Sequence, residues 1–309
     1  MILKPKKTLV LKAIGFVILA TCLAYLVQLL LDNREEVSLA VSSLTLGQAL
    51  CSIAAALAMY LLKGYYHVLL IQRISKRNGL TGSVLPAYCV AQVVRYLPGK
   101  IWGMVYQVTQ LSGTVSPGQV ITANLIQMIT TMTLGNLIII SILFAIHFNS
   151  LLPLTGIAIA LILTEIIHRV PQIERKLLLI IAKITSREQS ISLEIEPQRW
   201  VGTLILLLEW VAYFTIWAVV IGPSSDPIRF IELGTIYSAA SVLAIVAIVA
   251  PSGIAVREAL FVGLAVTTSA NTALLLGYAV VLRLILTFAE LLCVPVAMGL
   301  AVWLRRKSS

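Results

Sequence analysis

Two short stretches of this sequence carry the residue types needed to hold an anion. In RYLPGKIWG, Arg95 and Lys100 bracket Pro98 and Gly99; in PSGIAVREAL, Pro251 and Gly253 precede Arg257 and Glu258. Proline removes a backbone donor and drives the residue before it out of helical geometry, so a helix ends near each pair. A half-helix that starts after such a break presents free N–H groups and a partial positive charge, which attract an anion. Lys100 at a starting end opposes that dipole unless an anion neutralises both. The predicted site therefore uses Arg95, Lys100 and Arg257 to neutralise phosphate, with Glu258 orienting Arg257 or competing with the ligand. Each residue also has a structural use. Arg95 can cap its half-helix, Lys100 can reach a headgroup, and Arg257 with Glu258 can form a packing pair.

Three further charges stand inside apolar runs: Glu209, Arg283 and Glu290. Glu209 lies about 13 Å into a helix starting at Trp200, and Arg283 about 16 Å into one starting at Thr272. Those depths match if the helices enter from opposite sides of a core about 30 Å thick. A Glu209–Arg283 pair is predicted, with Glu290 a turn or two further on. No GxSxG, HExxH, P-loop or strand-borne GxGxxG is present, so catalysis is not expected. Cys22, Cys51, Cys89 and Cys293 lie in apolar runs without CxxC spacing, and His67, His147 and His168 are scattered. Neither a disulfide framework, a metal nor another cofactor is expected.

The elements that must position these residues are membrane helices. Of 309 residues, 59% are hydrophobic and 12% charged, with a mean hydropathy of +0.98, against about 25% charged in soluble domains. Predicted spans cover 13–31, 44–62, 120–148, 152–167, 200–221 and 272–304, with broken segments at 84–110 and 231–270. The first is read as an uncleaved span, being long for a signal-peptide core and lacking a small-residue cleavage site. Ile173, Leu177, Ile180, Ile181 and Ile184 recur at helical spacing within 168–199, which predicts an amphipathic surface helix.

The 23 cations fix a topology. All but Arg34, Arg95, Lys100, Arg229, Arg257 and Arg283 fall in the N-terminal tail, the 63–77 loop, the 168–199 loop or the C-terminal RRK. The positive-inside rule puts those four segments, and both termini, in the cytoplasm. That pattern accounts for the net charge of +10 without a nucleic-acid partner. Six spans satisfy it only if both broken segments are re-entrant hairpins that return to the side they came from; an eight-span arrangement, with both segments crossing, also keeps both termini inside. Pro98 lies 22 residues before Val120, and Pro251 lies 21 before Thr272. The expected fold is all-α: one polytopic domain, 1–309, of six spans and two re-entrant broken-helix hairpins. It forms an inverted repeat, 44–148 against 200–304, as in many transporters whose site lies at the repeat interface.

Together, RYLPGKIWG, PSGIAVREALF and the LR at 282–283 resemble the flippase-like membrane family related to the transmembrane region of lysylphosphatidylglycerol synthases, over about 40–300. The first family motif is matched by Arg95, Pro98 and Gly99. The second, close to PGGIGVREA, is matched by Pro251, Gly253, Val256, Arg257, Glu258 and Ala259, with Ser252 and Ala255 in place of two glycines. The resemblance implies movement of an anionic or aminoacylated phospholipid, or a polyprenyl-linked glycolipid, between leaflets of the cell membrane. The synthases' soluble aminoacyl-transferase domain has no counterpart expected after the last helix, so lysyl transfer is not expected. Two other readings stay open. One is a solute or ion transporter; the other is a non-transporting partner of a glycosyltransferase or lipid synthase, docked through 168–199.

Overall fold

The computed structural model describes residues 44–96, 101–131, 199–222, 229–246, 256–265 and 272–308, with five isolated positions before residue 44. Every regular element among them is a helix. They are α1 Leu46–Ser75, α2 Thr81–Val94, α3 Trp102–Gln110, α4 over 117–131, α5 Arg199–Ile221, α6 Arg229–Val246, α7 Val256–Ala265 and α8 Thr272–Ser308. Among the described residues, three stretches are long and apolar enough to cross a bilayer: α1, Val201–Ile221 of α5 and Leu274–Leu304 of α8. The first and fourth expected spans, most of the third and the amphipathic segment before Arg199 lie outside the described residues.

α1 starts with a capping box. Gln48 N donates to Thr45 Oγ1 at 3.3 Å, and Thr45 N donates to Gln48 Oε1 at 2.8 Å, satisfying two donors that a helix start leaves bare. The helix closes at Lys76, whose φ of 54° is left-handed. Its 30 residues extend about 45 Å. The predicted basic loop from Lys63 is thus helical as far as Ser75. A charge in the sequence marked an end there, but no Pro or Gly pair breaks the chain, and Lys63 meets a carboxylate across the bundle.

α2 and α3 double back on each other. A Cβ placed on Gly103 would sit 2.6 Å from the Ala91 carbonyl oxygen. Along one straight helix those positions would be about 18 Å apart. The hairpin also returns to its starting side. Arg77, just after α1, donates from Nη1 to the carbonyl of Thr114, just after α3, at 2.8 Å. α6 and α7 pair in the same way, with the Tyr237 and Phe261 rings 5.3 Å apart, where a continuous helix would separate them by about 36 Å. The start of α6 lies near α8, with Arg229 within electrostatic reach of Tyr278.

Two further helix pairs, α1 with α5 and α2 with α8, are antiparallel. Contacts of Lys63 with Glu209 and of Tyr66 with Gly202 run in opposite directions along α1 and α5. Gly82 with Ala301, Cys89 with Cys293 and Arg95 with Glu290 do so along α2 and α8. The end of α1 and the starts of α2 and α5 therefore share one end of the bundle with the end of α8. The sequence places Lys76, Arg77, Arg199, Arg305 and Arg306 at that end.

Burial is set by small residues on one side and aromatic rings on the other. Ala87, Ala91, Ala289 and Ala297 are buried on α2 and α8, letting their backbones approach. Trp217, Tyr237 and Phe261 fill the space between α5, α6 and α7. The outer face of α5 is as apolar as the inside: Val201, Leu204, Leu208 and Val211 are all exposed at helical spacing, as a lipid-facing stripe requires.

Gly103→Ala should lower stability by about 1–3 kcal/mol, because its methyl meets rigid backbone. Gly299→Ala, with open space around it, should not. Thermal unfolding in detergent reads both, and an unchanged Gly103→Ala would contradict the close approach of α2 and α3.

Candidate functional site: a charged cluster where both broken segments meet α8

Arg283 and Glu290 are seven residues apart on α8, two turns along the same face. Glu290 is buried, and both its oxygens are engaged. Arg95 donates from Nη2 to Oε1, and the Tyr96 hydroxyl donates to Oε2 at 2.6 Å. Arg95 stands at the C-cap of α2, where the last carbonyls favour a cation. Its side chain is nevertheless 40% exposed against 1% for Glu290. The guanidinium is anchored at Nη2 with its Nε buried, while part of the side chain stays exposed.

Tyr96 joins this pair to the next charge. Its hydroxyl holds Glu290, while its ring lies 5.4 Å from Arg283 Cζ, a cation–π distance. Arg283 is buried and lies within electrostatic reach of Glu258, Tyr237 and Glu290. Tyr237, on α6, carries Arg257 Cζ 5.9 Å from its ring centroid. Glu258 is buried on α7, and neither of its oxygens is hydrogen-bonded among the described residues. Three guanidinium groups and two carboxylates thus form one connected polar cluster in an apolar bundle. A low-dielectric surround strengthens its attraction for an incoming anion.

The structure brings together Arg95, Arg257, Glu258, Arg283 and Glu290 from the residues singled out in the sequence. Pro98, Gly99, Lys100, Pro251 and Gly253 lie outside the described residues. The Glu209–Arg283 pair is corrected: Glu209 binds Lys63 Nζ at 2.8 Å, and Arg283 faces Tyr96. Depth along a helix sets the height of a side chain but not the direction it faces. α5 turns Glu209 toward α1, and the carboxylate near Arg283's face of α8 is Glu290, which takes Arg95.

Tyr96, Tyr237 and Lys63 were not singled out beforehand, and neither was a second polar network in the first half. His67, fully buried, places Nδ1 2.8 Å from Gln127 Oε1 and Nε2 3.0 Å from Gln107 Oε1. Gln127 Nε2 donates to the Lys63 carbonyl at 2.9 Å, and Asn124 Nδ2 to Gln107 Oε1 at 3.0 Å. The available signal was the set of amides Gln107, Asn124 and Gln127 inside apolar runs, since buried amides need partners.

No protein-family model matches the chain, and no curated protein matches it either.

Glu209→Lys should destabilise the fold by about 3 kcal/mol or more, as breaking a buried pair leaves a charge uncompensated. Adding Lys63→Glu should restore most of the loss, whereas adding Arg283→Glu should not. Detergent unfolding midpoints of the three variants decide the partner.

Proposed function

We propose that this protein is a multi-pass transporter that moves a phosphate-bearing lipid between the leaflets of the cell membrane. Its substrate class is an anionic phospholipid or a polyprenyl-linked glycolipid. The observation that carries the reading is the convergence of Arg95, Arg257 and Arg283, with Arg95 still 40% exposed beside a buried carboxylate. A headgroup crossing hydrocarbon unaided meets a heavy desolvation cost. A cluster of fixed cations at membrane depth offsets that cost for phosphate.

In this reading the fold is an inverted repeat of six spans and two re-entrant hairpins. Mirrored packing supports it. α1 against α2 and α2 against α3 have counterparts in α5 against α6 and α6 against α7, while α1 and α5 pack together between the halves. Asn124 on α4 meets Gln107 on α3, as α8 meets α7. The Arg77 contact with Thr114, across the ends of the first hairpin, supports re-entrance there. The shared end that carries Lys76, Arg77, Arg199, Arg305 and Arg306 is cytoplasmic by the positive-inside rule, so the C-terminus lies inside, and the N-terminal lysines put the N-terminus there too. The likeness of RYLPGKIWG and PSGIAVREAL to flippase-like motifs supports the same assignment.

The test is a leaflet-accessibility assay with fluorescent anionic lipids in proteoliposomes. Charge-assisted hydrogen bonds contribute about 1.5–3 kcal/mol each. The Lys100→Ala, Arg257→Ala double variant should therefore transport about a hundredfold slower or worse. A folded double variant that transports at the unmodified rate refutes the assigned residues.

A further inference from the structure

Beside the charged cluster lie two thiols that the transport reading does not use. Cys89 of α2 and Cys293 of α8 are both buried and free, 204 residues apart in sequence, with their Sγ atoms 2.9 Å apart. Cys293 follows Glu290 by three residues, one turn along the same face of α8. Cys89 precedes Arg95 on α2, so the thiol contact and the ion pair bridge the same two helices. A disulfide needs Sγ atoms at about 2.05 Å, so closure asks for a side-chain shift of under an ångström. The nearby Ala87, Ala91, Ala289 and Ala297 already hold the helices close.

We infer that Cys89 and Cys293 are a redox-responsive pair that closes to an intramolecular disulfide and clamps α2 to α8 beside the Arg95–Glu290 pair. Closure forms one Sγ–Sγ bond, breaks two S–H bonds and releases two protons and two electrons. The site is buried among apolar side chains, so the physiological oxidant must be membrane-soluble. A quinone fits, taking both electrons and both protons and leaving as the quinol. The clamp fixes the helix that presents Arg95. Its effect on transport rests on the proposed function, whereas the disulfide itself does not.

The test uses the full chain in proteoliposomes treated with diamide, whose N=N bond accepts the same two electrons and two protons. Remaining thiols are alkylated, and the protein is mapped by mass spectrometry without reduction. The expected result is a linked peptide pair joining Cys89 to Cys293, lost on adding reductant and absent from Cys293→Ser. A Cys22→Ser, Cys51→Ser background keeps the map readable and should give the same link. Cys89 and Cys293 both recovered alkylated, or Cys89 joined instead to Cys51 or to a second chain, overturns the pair. In parallel, lipid movement should fall to the level of protein-free vesicles on oxidation and recover on reduction, with Cys293→Ser unaffected by diamide. Full crosslinking with unchanged transport overturns the clamp and leaves the lipid reading intact. An untreated protein that moves no lipid sinks the lipid reading and the clamp's effect on it, and the peptide map still decides the disulfide.

Discussion

Burying a carboxylate in an apolar bundle is costly unless its oxygens are hydrogen-bonded, and Glu290 has two donors from adjacent residues, Arg95 and Tyr96. Arg95 is the C-cap of α2 and Tyr96 follows it, so one side chain on α8 holds the end of α2 in place. Two turns away on the same face, Arg283 lies over the ring of Tyr96 and near Glu258 and Tyr237. One helix therefore references both broken segments. Losing the Glu290 contacts would free the end of α2 and remove the ring against which Arg283 is placed.

The two halves of the bundle reach that arrangement with different fillings. In the first, α1, α3 and α4 are knitted by His67, which bridges Gln127 and Gln107, and by Asn124, which donates to Gln107. In the second, Trp217, Tyr237 and Phe261 stack edge-on or tilted between α5, α6 and α7. Hydrogen-bonded networks impose geometry through direction, aromatic layers through volume.

Much of the helical layout was legible because it follows from runs and breakers. α5 and α8 begin within a residue of the expected positions, and α8 continues a few residues past its expected end. Pro98-Gly99 and Pro251-Ser252-Gly253 were read as breaks, and each falls between two helices that turn back on one another. Pro86 and Pro295 lie within α2 and α8 instead; neither is followed by glycine, so a proline alone did not mark a break. Less legible was anything that depends on rotation about a helix axis. Lys63 looked like the start of a loop, because a cation inside a span is expensive unless paired, and its partner Glu209 is 146 residues away. Glu209 and Arg283 matched in depth but face different neighbours. Cys89 and Cys293, and the partners of His67, meet only through packing that no local spacing encodes.

The central claim is that Arg95 and Glu290 are energetically coupled and hold the first broken segment to α8. A double-mutant cycle of Arg95→Gln and Glu290→Gln, read by unfolding free energies in detergent, tests it most directly. The account predicts a coupling energy of about 2–3 kcal/mol, because Arg95→Gln strands the buried Glu290 carboxylate and Glu290→Gln removes the charge that Arg95 neutralises. Effects that add within about 0.5 kcal/mol would mean the two residues act independently, and would contradict it.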